Sequence, residues 1–143
     1  MENKMSQLKL IAYHDERLND IGIVKNGLKT KLDSALTNAN DNYSDPRELM
    51  SLSLLVCVYK TTKKYLALKK PHLSDIKIKV STSTSKDEQG FYFKLELIMG
   101  IKEASVQETT EIMDTVHTKC PVSRMLNDYP HLILSAVLYE SIA

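Results

Sequence analysis

The stretch from Asp45 to Pro71 most constrains what this chain can fold into. Asp45 is a residue type that caps helices. Pro46 suits the first helical position, and Glu48 sits where a capping-box carboxylate reaches back. Pro71 cannot continue a helix, so the pattern predicts one helix from this start to about Lys70. Its first half is almost wholly apolar, with Leu49, Met50, Leu52, Leu54, Leu55, Val56, Cys57, Val58 and Tyr59. A helix apolar on most sides is buried on most sides. Its second half, Lys60 to Lys70, is wet. A chain of 143 residues has little spare mass to surround such a helix alone, which points to a dimer.

The flanking sequence reads as strands. Residues 6–12 alternate, with Leu8, Leu10 and Ala12 on one face. Residues 14–20 are polar and carry Arg17. Ile21–Lys25 and Leu28–Leu32 flank Asn26-Gly27, a strong hairpin signal because both turn residues tolerate positive φ. Residues 33–44, rich in Asn, Asp and Ser, read as a loop. After the helix, Ile76, Ile78 and Val80 alternate with lysines, and Phe91, Phe93, Leu95 and Leu97 alternate with polar residues. The polar link Ser81–Gly90 reads as a hairpin loop between them. A second helix is expected over Ser105–Thr118, with Val106, Met113 and Val116 near one face. Cys120-Pro121-Val122-Ser123 restarts a short helix, and Leu132–Ser141 reads as the last strand. The expectation is one domain over residues 1–143, of α+β class with antiparallel sheets.

Composition removes several function classes. Nineteen basic residues stand against 18 acidic ones, a net charge of +1. A nucleic-acid binder normally shows a basic excess on one face. No apolar run approaches the ~20 residues that span a bilayer. No secretory signal is visible, so a reducing cytoplasm is the expected compartment. Two cysteines, Cys57 and Cys120, exclude a disulfide scaffold and a four-thiolate zinc site.

Those two thiols are the candidates for chemistry. Cys120 precedes Pro121, which places it at or near a helix N-cap. The helix dipole there favours thiolate, although a small buried hydrophobe is the plainer reading. Cys57 lies mid-helix among apolar residues, where burial alone makes a thiol inert. To act as a nucleophile it needs a cation nearby, most plausibly an arginine. The histidines His14, His72, His117 and His131 show no metal-ligand pairing among themselves. His117 and Cys120 share a helix face in spacing, but two ligands do not make a site. No metal or cofactor is expected.

Two motifs carry a resemblance. Asp45-Pro46-Arg47-Glu48-Leu49, leading to Cys57 inside a buried helix, resembles the first signature of the OsmC/Ohr family of thiol peroxidases. Val116-His117-Thr118-Lys119-Cys120-Pro121-Val122-Ser123-Arg124 resembles the second. The resemblance spans essentially the whole chain. It implies an OsmC-like fold with antiparallel sheets wrapped around a long central helix in an intertwined homodimer. It also implies reduction of organic hydroperoxides. Cys57 would be oxidised to sulfenic acid, Cys120 would condense with it, and a dithiol (lipoyl or thioredoxin-like) would reopen the disulfide.

The family places an arginine and a glutamate beside the first cysteine. Arg17 is the only arginine upstream of residue 47 and would hold the thiolate. The family glutamate directly follows the proline. Here Arg47 stands in that position and the carboxylate comes one residue later, at Glu48, a rotation of ~100° on a helix. Glu48 would supply the carboxylate, with Arg47 as a possible supporting cation. The alternative is an OsmC-like homodimer without peroxidase activity, which binds a small apolar ligand in the dimer groove.

Overall fold

A computed structural model describes residues 45–142, together with the backbone of Ala12–His14, Ile21–Val24 and Lys29–Lys31. By its internal contacts the chain divides into two compact units, Met1–Pro46 and Arg47–Ala143.

In the first unit β1 (Ala12–His14), β2 (Ile21–Val24) and β3 (Lys29–Lys31) form an antiparallel sheet in that order. Ile23 pairs with Lys29 and Ile21 with Lys31, the hairpin expected around Asn26-Gly27. The turn itself, Arg17, the rest of the 6–12 strand and the 33–44 loop lie outside the described residues.

The second unit is built on α1 (Pro46–Lys69), a helix of 24 residues. Pro46 opens it as the first helical residue, where its missing N–H costs nothing. The turn at Pro71 follows its end. Only Leu54, Val58, Thr62 and Leu66 are buried along it, a stripe repeating every four residues. The expectation that the first half is enclosed on most sides is therefore not met within one chain. Leu52 and Val56 are each 47% exposed and Tyr59 39%.

Strands β4 (Ile76–Asp87) and β5 (Gly90–Ile101) form a long antiparallel hairpin. The reading of Ser81–Gly90 as a loop is corrected. Thr82 pairs with Leu95 and Thr84 with Phe93, and the strands run on until Asp87 meets Gly90. Threonine and serine suit an exposed pleat, and the paired strand supplies the apolar side. Gly90 closes the two-residue turn with φ of 127°, a backbone state that only glycine adopts easily.

Helix α2 (Val106–Lys119) follows, capped by Ser105, whose hydroxyl accepts the Glu108 N–H at 3.0 Å. Its buried residues are Thr109, Ile112, Met113 and Val116, the spacing of one helical face. Val106, expected on that face, is 42% exposed. Lys70, just beyond α1, reaches Glu108 at 2.7 Å. That hydrogen bond holds the Lys70 ammonium above its ordinary pKa.

A short helix, α3 (Pro121–Met125), leads to β6 (Leu132–Ala136), which pairs with β5. This pairing is parallel, which corrects the expectation of purely antiparallel sheets. A strand reached through helices on one face of a sheet comes back in the same direction as the strand it left. The last strand is also shorter than expected, because the chain turns through a 3-10 helix at Tyr139–Ser141.

The core lies between the β4-β5-β6 sheet, α1 and α2. Leu95, Leu97, Met99 and Ile101 alternate inward from β5. Leu54, Val58, Leu66, Ile112, Met113 and Val116 join them in one cluster. Gly100 faces the Tyr139 turn so closely that a Cβ there would meet the Tyr139 Cα at 2.8 Å.

Candidate functional site

The two cysteines come together from different elements. Cys57 sits midway along α1, on the flank of the buried stripe. Cys120 is at once the C-terminal cap of α2 and the N-terminal cap of α3. They are joined by a disulfide with their Cα atoms 6.1 Å apart. This is ordinary bridging geometry for the Cα positions.

Their surroundings differ. Cys120 is fully buried, at 0% exposure, within the core cluster. Cys57 is half-buried and only borders that cluster. The joint that carries Cys120 is held by its backbone. Its N–H donates to Val116 O at 2.8 Å, and its own carbonyl accepts from the Arg124 N–H at 2.8 Å. Pro121 supplies no donor and starts α3 without one, as the sequence pattern anticipated.

Two of the expected partners, Arg47 and Glu48, start from the first turn of the same helix as Cys57. Glu48 is exposed in the first turn. Nine residues of α-helix separate it from Cys57, which is about 13 Å of rise and roughly 180° of rotation. By that rotation its Cα lies on the side of α1 opposite that of Cys57. Arg47, half-buried, is rotated only about 80° from Cys57 about the axis and lies about 15 Å along it. Arg17 lies outside the described residues.

Grooves border α1 on both sides of its buried stripe. One of about 460 Å³ is lined by Lys60, Thr61, Lys64, Tyr65, Leu68, Lys69 and Lys119. Lys60, Thr61 and Lys64 are three, four and seven residues past Cys57, so they share its helix face. Lys119 immediately precedes Cys120. Another groove, of about 610 Å³, lies between the opposite flank of α1 and β4, with Leu55, Val56, Tyr59, Ile76 and Ile78 in its wall.

The sequence reading missed one feature of this site. His117, weighed there only as a metal ligand, is hydrogen-bonded through Nδ1 to Ser123 Oγ, and its Nε2 lies 3.2 Å from Asn127 Oδ1. The signal was present in the sequence, since His117 and Ser123 stand symmetrically about Cys120 at a helix break. Among the described residues no group of three or more His, Cys, Asp or Glu side chains could hold a metal ion. No described helix is long and apolar enough to cross a membrane.

Solved structures resemble the chain over most of its length. The organic hydroperoxide resistance protein of Elizabethkingia anophelis matches with a TM-score of 0.80 at 19% identity, covering 92% of this chain and 96% of that one. The organic hydroperoxide resistance protein OhrB of Bacillus subtilis matches with a TM-score of 0.71 at 18% identity, covering 90% and 96%. An OsmC-like protein from Mycoplasma pneumoniae matches with a TM-score of 0.67 at 19% identity, covering 96% and 97%. No curated protein matches the chain. The family model for OsmC-like proteins matches residues 39–135, a span that holds α1, the β4–β5 hairpin and both cysteines, and the chain belongs to that family.

Proposed function

We propose that this protein is a cysteine-based peroxidase that reduces organic hydroperoxides, acting as one OsmC-like domain per chain. The observation that carries the reading is the Cys57–Cys120 disulfide with one accessible and one buried end. A redox pair that meets substrate needs its first thiol where substrate arrives and its second within bonding reach. Family membership and the solved hydroperoxide resistance proteins of the same fold support the choice of substrate class.

In this reading Cys57 is the attacking thiolate. Its sulfur takes the terminal oxygen of the hydroperoxide, the O–O bond breaks, and an alkoxide leaves to be protonated as the alcohol. Cys57 is then a sulfenic acid. The Cys120 thiol attacks that sulfur, the S–S bond forms, and water leaves. A dithiol reductant, lipoyl or thioredoxin-like, exchanges with the disulfide and restores both thiols. Cys57 is the end open to that exchange.

Activation of Cys57 is assigned to an arginine. A guanidinium holds a thiolate with its planar fork of donors, which lysine lacks. Arg17 is the first choice and Arg47 the supporting one. The Cα of Glu48 lies on the side of α1 opposite that of Cys57 in its own chain, so it is the weakest of the expected site residues. A homodimer belongs to the same reading, because Leu52, Val56 and Tyr59 form an uncovered apolar face on α1. A cytoplasmic location agrees with a disulfide that must be reopened in each cycle.

The second reading keeps the fold without the chemistry and uses the groove walled by Leu55, Val56, Ile76 and Ile78 for a small apolar ligand. Steady-state consumption of cumene hydroperoxide with dihydrolipoamide separates the two. Turnover that requires the protein and the dithiol supports the peroxidase. Failure of the protein to accelerate the reaction favours the ligand-binding reading.

A further inference from the structure

His117 and Ser123 stand three residues before and three residues after Cys120, and their side chains are bonded to one another. The bond closes a seven-residue loop with Cys120 at its centre. Cys120, the N-cap of α3, makes no side-chain capping bond of its own. Helix α3 has only five residues, too few to hold a direction by its own backbone bonds. Ser123 is 1% exposed, so its hydroxyl has protein rather than water as its partner. An amide oxygen only accepts, so His117 Nε2 donates to Asn127 Oδ1. Nδ1 is then the acceptor for the Ser123 hydroxyl.

We propose that His117 is a positioning residue for Cys120, and that its bond to Ser123 keeps the Cys120 thiol facing Cys57 whenever the disulfide is open. The inference rests on the reading of Cys120 as the resolving thiol. A thiol held in place closes a disulfide faster, and more completely, than one free to swing about Pro121. The gain is an effective concentration.

The measured quantity is the equilibrium between reduced protein plus oxidised glutathione and disulfide protein plus two reduced glutathiones. It balances two electrons and two protons without any hydroperoxide. Three variants isolate the bond. Ser123→Ala removes one hydroxyl. His117→Asn keeps a polar atom near the place of Nδ1, and His117→Gln keeps one near the place of Nε2. Destabilisation shared by the oxidised and reduced forms cancels in this equilibrium, so a merely structural role leaves it unmoved.

The proposal expects Ser123→Ala and His117→Gln to lower the equilibrium constant about tenfold, equivalent to roughly 30 mV for a two-electron couple. His117→Asn should stay within about twofold of wild type. Ser123→Ala at the wild-type value overturns the proposal, and so does His117→Asn falling as far as His117→Gln. If a histidine variant fails to fold, Ser123→Ala alone decides. A wild-type protein that equilibrates with glutathione but ignores hydroperoxide refutes the peroxidase reading and leaves this test standing.

Discussion

Cys57 and Cys120 are bonded to each other, yet Cys120 is fully enclosed by the core while Cys57 lies half-buried on the flank of α1. In the proposed cycle that asymmetry sets the order of events: the thiol on the helix flank would meet the oxidant and the reductant, and the enclosed thiol would meet only its partner.

Replacing each cysteine should therefore give different failures. Cys57→Ser should abolish hydroperoxide reduction while the fold is retained, measured by turnover and far-ultraviolet dichroism. Cys120→Ser should consume about one equivalent of hydroperoxide, then stall as sulfenic acid and proceed to sulfinic acid under excess oxidant. Normal dithiol-driven cycling by Cys120→Ser would remove Cys120 from the resolving role.

The arginines can be ranked by their lysine variants. Arg17→Lys keeps the charge and loses the fork, and should slow sulfenic acid formation at Cys57 by about tenfold or more. Arg47→Lys should have a smaller effect, because helix geometry sets Arg47 about ten residues of rise away from the sulfur. The rates are read from single-turnover oxidation under an organic hydroperoxide. The reverse ranking would make Arg47 the activating cation.

A methyl group at residue 100 has nowhere to go. Gly100→Ala would press against the Tyr139 backbone at 2.8 and 3.0 Å and the Ile142 side chain at 3.2 Å. Backbone cannot step aside as a flexible side chain does, so a destabilisation of about 1–3 kcal/mol is expected. Denaturant unfolding of the reduced protein measures it. An unchanged midpoint would mean that the 139–141 turn detaches at little cost.

The apolar face of α1 should be the dimer contact. Val56→Asp combined with Leu52→Asp places two charges where apolar packing is expected, and the protein should elute as a monomer in light-scattering chromatography. Wild-type protein that is monomeric at micromolar concentration would contradict the homodimer.

Much of this molecule was legible in the sequence because local signals and tertiary demands agreed. Pro46 and Pro71 bracket α1, Ser105 caps α2, and Pro121 starts α3, each by a property of its own backbone or side chain. Polar Ser81–Asp87 misled because an exposed strand and a loop share composition. Only pairing with apolar β5 distinguishes them. The parallel return of β6 depends on the crossover through α2 and α3, which no local window contains. The site was legible in part. The cysteine pairing came through family resemblance, and the even spacing of His117 and Ser123 about Cys120 was in view, but the bond between them forms only because the chain breaks from α2 into α3 at Cys120.

In the proposed cycle hydroperoxide converts the two thiols into one disulfide. Reduced protein would be treated with one equivalent of an organic hydroperoxide, alkylated without denaturant and again after unfolding, and its intact mass measured. A loss of two hydrogens is expected, with Cys57 and Cys120 both closed to alkylation until a dithiol is added. Two alkylated thiols after exposure would contradict it, and would leave an OsmC-like fold whose groove, rather than its sulfur chemistry, carries the function.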